Sequence, residues 1–231
     1  MKRLMQYSLL AVSWFAATGL TVGKPSPESE LAITVCVMND ASVPAAVEAA
    51  VERRVEMSME AAGIRVRWLH GRDTARTSEV RCLCSNPQPM RVLILHWMTN
   101  GKAASPGELG EAFVGEDGRG VIADLFLDRM ERLKEERDVD FVQLLAHVTE
   151  HELGHLLLGA NSHSVSGLMR ARINEETLVK LTQGDSQFSR EQIKKMHERA
   201  KGENELSVWH RLADTCSARN ELIPVVQADA M

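Results

Sequence analysis

The stretch from Val142 to Met169, VQLLAHVTEHELGHLLLGANSHSVSGLM, holds the residues whose types and spacing can do chemistry. His151 and His155 bracket Glu152, Leu153 and Gly154 in an HExxH pattern. On a helix, side chains four positions apart stack one turn above the other on a single face. Two neutral imidazoles so placed can take one zinc ion from the same side. Glu152, next to the first of them, can reach a water at the metal and take its proton, which makes it the candidate general base. Past Gly159 comes His163. A chain that turns back at the glycine can deliver this imidazole as a third ligand and leave a fourth position open, as a catalytic zinc site requires.

A helix must carry these groups. Phe141, Leu144, Leu145 and Val148 fall at i, i+3, i+4 and i+7, and the same stripe runs on through His151, Glu152 and His155. Leu153, Leu156, Leu157 and Leu158 make the rest of the helix strongly apolar. The polar trio therefore faces inward, where polar side chains without partners are costly and a metal removes the cost. The competing reading is a pair of hydrogen-bonded core histidines. Glu150 also flanks His151, but only Glu152 shares the metal face. His147, one turn earlier, reads as a packed histidine, and His96 as one that is solvated or satisfied in the core.

Composition suits one domain with a tail: 231 residues, 44% hydrophobic, 26% charged, with aromatics at only 4%. The net charge of −5 and the lack of any basic tract argue against a nucleic-acid partner. Residues 1–23 read as a signal peptide, with Lys2 and Arg3 before an apolar run and small residues after it. An uncleaved membrane anchor is the alternative. Cleavage implies a secreted or periplasmic protein with no stable membrane association. In that setting Cys36, Cys82, Cys84 and Cys216 suggest up to two disulfides, with Cys82 and Cys84 too close to bridge each other comfortably.

After a linker at 24–30, the pattern predicts a buried strand at 31–38 and a helix capped by Ser42, with Pro44 early in it, running to about Ala62. A half-exposed strand follows at 64–69, a strong strand at 91–98, a short edge strand at 111–114 and another strand from Gly120. That last strand runs either to Leu127 or only to Asp124, depending on where the amphipathic stretch 123–137 becomes helical. The motif helix comes next, then a charged, partly helical segment at 170–184 and a helix capped by Ser189 that ends near Gly202. The domain thus spans 31–202 and a weakly patterned tail 203–231.

The motif segment resembles the metzincin clan of zinc metallopeptidases, whose signature is HExxHxxGxxH followed by a methionine turn under the metal. His151, Glu152 and His155 match, and Met169 stands where the turn methionine would. The spacing departs: strict register puts glycine at Leu158 and the third ligand at Asn161, whereas here glycine comes one residue later and histidine two. His163 is preferred over Asn161 because neutral amides are poor zinc ligands. The resemblance implies an α+β, zincin-like fold: a twisted mixed β-sheet packed on two long helices, with the active-site helix followed by a small C-terminal subdomain bearing a terminal helix. It also implies that the edge strand 111–115 pairs with an extended peptide. The expected function is an exported zinc-dependent peptidase, monomeric, acting on peptide or protein substrates with Zn2+ on His151, His155 and His163. Two alternatives stand beside it. One is a gluzincin-type site with Glu175 or Glu176 as third ligand. The other is a non-catalytic zinc-binding protein, against which the intact Glu152 argues.

Overall fold

Runs rich in valine, isoleucine and leucine become neighbouring strands of one sheet. The computed structural model describes residues 31–71, 91–99, 107–115, 118, 120–183 and 187–201. The expected leader, linker and C-terminal tail, and Cys82, Cys84 and Cys216, lie outside them. Among the described residues the strands are β1 (Leu31–Asn39), β2 (Ile64–Gly71), β3 (Arg91–Met98), β4 (Gly110–Val114) and β5 (Gly120–Phe126). They form a five-stranded sheet in the order β2-β1-β3-β5-β4. The first four in that order run parallel, and β4 pairs antiparallel with β5 at the edge. The near-continuous apolar character of β1 and β3 is what parallel strands covered on both faces require.

The helices are α1 (Ala45–Ala61), α2 (Leu127–Arg137), α3 (Phe141–Leu158), α4 (Glu175–Gln183) and α5 (Arg190–Lys201). One face of the sheet presents Val35, Val37, Leu93, Leu95, Trp97 and Leu125 to the main core, which Val51, Val55 and Met59 of α1 and Leu144, Leu145 and Leu153 of α3 complete. By alternation the other face carries Cys36, Met38, Val92, Ile94 and Ile122 in a smaller apolar cluster. This is the expected mixed sheet on two long helices. Cys36 is buried on β1 within that apolar cluster, and no disulfide pair is present among the described residues. Among the described residues no helix is long and apolar enough to cross a membrane.

Local details depart from expectation at the first helix. Ser42 does not cap it; Ser42 takes a positive φ of 57°. Instead the Asn39 side chain accepts from Val43 N–H at 2.8 Å and donates to Val43 C=O at 2.8 Å, so the turn is closed by the last residue of β1. α3 has a side-chain cap, because Asp140 accepts from Gln143 N–H at 2.8 Å. In α5, Ser189 and Gln192 form a reciprocal capping box. The strand β5 ends at Phe126, between the two boundaries the pattern allowed.

His96, at the carboxyl end of β3, is satisfied by carboxylates. Its Nε2 lies 2.8 Å from Asp40 Oδ2, and Nδ1 lies 3.5 Å from Asp124 Oδ1. Burial alone would lower its pKa, but Asp124 and Asp40 outweigh it and the net shift is upward from 6.5. A raised folded-state pKa stabilises most where both states are protonated, below about 6.5, and the gain is lost as pH rises through the raised value. His96→Gln is therefore expected to destabilise by a few tenths to about 1 kcal/mol near pH 5.5 and by less near pH 8.5. Chemical denaturation at the two pH values measures this; an equal loss at both would remove the ionic contribution.

Candidate metal centre

Thirteen of the eighteen residues of α3 are buried, so the helix is the centre of the molecule rather than a surface element. It packs on α1, β4 and β5, and α2, α4 and α5 flank it. On this helix His151 and His155 stand one turn apart, with Nε2 atoms 3.1 Å from each other. The Nε2 of His163 lies 3.0 Å from that of His155. The three rings are edge-on or stacked, with centroids 4.6 to 5.4 Å apart.

The opposite nitrogens of the two helical rings are held. His151 Nδ1 lies 2.9 Å from the Leu168 carbonyl. A carbonyl only accepts, so Nδ1 carries the proton and Nε2 presents a lone pair. His155 Nδ1 lies 2.8 Å from Ser162 Oγ. Burial, then the neighbouring rings, push the His155 pKa down to about 3. Burial likewise takes His151 down to about 4 against the pull of the Leu168 carbonyl. Both rings are therefore neutral near pH 7. A neutral ring has one proton to give, yet two Nε2 atoms crowd against that of His155. Hydrogen bonding alone leaves two lone pairs facing each other, whereas a cation satisfies all three nitrogens. Nitrogens sharing a tetrahedral zinc at 2.0–2.1 Å stand roughly 3.3 Å apart, close to the spacings here. The donor set fits zinc.

The bend that delivers His163 begins at Gly159, whose N–H returns to the His155 carbonyl at 2.8 Å. Its φ of 90° is positive as expected, but ψ is −172°, a region essentially confined to glycine and distinct from the left-handed helical cap. A Cβ there would also meet the Gly118 carbonyl oxygen at 2.4 Å. Asn161 follows with φ 58° and is exposed. Below the rings lies Met169, fully buried. A Cβ on Gly154 would sit 2.3 Å from Met169 Sδ, so the turn packs directly under the helix between its two histidines.

Glu152 lies on β4. A Cβ on Gly110 would stand 2.6 Å from Glu152 Oε1, so the carboxylate rests on bare backbone, and the Ala112 N–H donates to it. Burial, then Glu111 and Glu108, push its pKa up to about 8, with the Ala112 N–H opposing. Glu150 also reaches about 8, by burial, but the polar groups near it, Ser58 and Arg54, are on α1. Glu175 pairs with Arg137, and Glu176 with Arg170 at 2.8 Å and Lys180 at 2.7 Å. Neither is among the donors that converge with the histidines. His147 is buried, and burial followed by His151 lowers its pKa to about 3. A second group of possible donors, Glu48, Glu52 and His70, lies on the outside of α1 and β2. Its short contact is an ordinary His70–Glu52 pair at 2.6 Å.

The sequence matches no family model and no curated protein. Among solved structures it is similar to archaemetzincin from Methanopyrus kandleri, at 16% identity and a TM-score of 0.45, over 77% of this chain and 99% of that one. It is also similar to metalloproteinase-II from Bacteroides fragilis, at 13% identity and a TM-score of 0.44, over 76% of this chain and 54% of that one. This chain thus matches about half the length of the latter. Likenesses this distant say nothing of what the side chains here do.

Three contributors to the site had no place in the sequence reading: Ser162, Gly110 and the Leu168 carbonyl. Ser162 had a faint signal, as a small polar residue beside His163. Gly110 and the carbonyl had none, because each acts through a contact far along the chain. Gly154→Ala should overpack the Met169 turn and destabilise the fold by about 1–3 kcal/mol, read from denaturant unfolding. Unchanged stability would mean that the turn can retreat freely.

Proposed function

We propose that this chain is a zinc-dependent peptidase, with His151, His155 and His163 holding the metal and Glu152 as general base. The observation that carries the reading is the meeting of three imidazole Nε2 atoms where the bend returns to the helix, with the buried Glu152 next in the chain to the first of them. Zinc, when bound there, supplies a Lewis acid that polarises a carbonyl and acidifies water.

The chain's own groups account for the rest. Glu152 is placed to take a proton from the attacking water and return it to the leaving amine. A base works best with a pKa near the working pH, and burial moves this carboxyl upward from the usual range. A cation beside it acts in the opposite direction, so its loaded value lies below the cation-free one. Gly110 gives the carboxylate room, and the Ala112 N–H fixes its orientation. Met169 forms an apolar floor and donates nothing to the metal. The edge strand β4, with Phe113 half-exposed on it, borders the glutamate and offers an extended peptide a strand to pair with.

Two measurements test this. Glu152→Ala should keep stoichiometric zinc and lose hydrolysis of casein or a peptide pool by roughly 10²–10⁴-fold, the usual share of general acid–base catalysis. A fully active variant would end the assignment of the base. A parent protein that binds zinc and cleaves nothing would leave a binding protein. His163→Ala should weaken zinc affinity sharply while Glu175→Ala and Glu176→Ala leave it unchanged, as read by competition with a chromophoric chelator; the reverse pattern would move the third ligand to α4.

A further inference from the structure

We propose that Ser162 is a positioning residue for the metal centre: its hydroxyl fixes the tautomer and plane of His155 so that Nε2 faces the metal. This rests on the zinc reading above and assigns a role that a search for ligands alone would pass over.

The geometry is specific. Ser162 Oγ lies 2.8 Å from Nδ1 of His155, while the next residue, His163, approaches Nε2 of the same ring at 3.0 Å. Consecutive residues thus address opposite edges of one imidazole. Ser162 is buried, at 9% exposure, although Asn161 and His163 on either side are exposed. Gly159 and Asn161, both with positive φ, turn the chain back on the helix so that a side chain at 162 points inward. The bend runs two residues past the spacing of the metzincin signature, and its length lets it bring a hydroxyl as well as a ligand.

The chemistry follows from the donor inventory. A neutral imidazole that gives Nε2 to a metal must carry its proton on Nδ1 and give it to an acceptor. His151 has the Leu168 carbonyl for this purpose. His155 sits near the carboxyl end of α3, where its Nδ1 finds the serine oxygen. Without that oxygen the ring keeps its backbone attachment, but the Nδ1–H of a metal-bound ring loses its acceptor. Partners of this kind are typically worth 10–100-fold in metal affinity.

The experiment compares the full chain with Ser162→Ala, Ser162→Thr and, as a control, Ser164→Ala. Ser164 bonds the Ser166 carbonyl and Gln192 and touches none of the three rings. Zinc affinity by chelator competition is expected to fall about 10–100-fold in Ser162→Ala. It should return substantially in Ser162→Thr and stay unchanged in Ser164→Ala. Unfolding of the zinc-free proteins shows whether each variant is folded. A folded Ser162→Ala with parental affinity would overturn the proposal. If Ser162→Ala fails to fold, imidazole nitrogen NMR of the zinc-loaded parent decides. The proton of His155 on Nδ1, hydrogen-bonded and slow to exchange, supports the role, and a proton on Nε2 or a freely exchanging Nδ1–H overturns it. A parent that takes up no zinc would instead overturn the metal reading itself, before any variant is compared.

Discussion

A helix at the middle of a protein is expected to be apolar, yet α3 carries His147, Glu150, His151, Glu152 and His155 within nine positions. Burying ionisable groups without partners is costly enough to unfold a domain of this size. That constraint organises the molecule. Glu150 turns to Ser58 and Arg54 of α1, Glu152 to the backbone of β4, His151 to the carbonyl of the methionine turn, and His155 to the serine in the bend. The remaining nitrogens, on three rings, are left facing one another, and a cation is what reconciles them.

The two glutamates show why perturbed acidity does not by itself identify a catalytic group. Glu150 and Glu152 are both pushed to about 8, and burial is the leading cause in each. They are two positions apart, so on a helix they point roughly 200° away from each other. One lies toward Ser58 and Arg54 of α1; the other lies over Gly110 of β4. Direction separates the two carboxyls where the surrounding dielectric does not.

Much of this was legible in the residues because it is local. The spacing of His151 and His155, the apolar stripe before them, the capping signal at Ser189 and the strand-forming runs are all short-range, and the helices and strands formed within a few positions of expectation. The first cap was misplaced because Asn39 and Ser42 both suit a turn, and only the path out of β1 decides between them. Cys36 was drawn toward disulfides by an even cysteine count, a compositional argument that cannot see where in the sheet a residue is buried. Gly110 was invisible for a different reason. A missing side chain matters only where something else occupies the space, and here the occupant is forty-two positions away.

The last described helix has a consequence of its own. From α5, His197 Nε2 meets the Ala62 carbonyl at the end of α1 at 2.9 Å, and the Arg199 guanidinium donates to the Gly118 carbonyl while lying against Gly159 at the end of α3. Cationic or proton-donating groups at such ends complement the helix dipoles. α1 thus receives a partner for its final carbonyl from α5, and the bend after α3 receives a cationic group from the same helix. While the chain is still emerging from the ribosome, the bend after α3 lacks the guanidinium that braces it. The bend after α3 is thus completed by a side chain forty positions further along the chain, and only once α5 has docked.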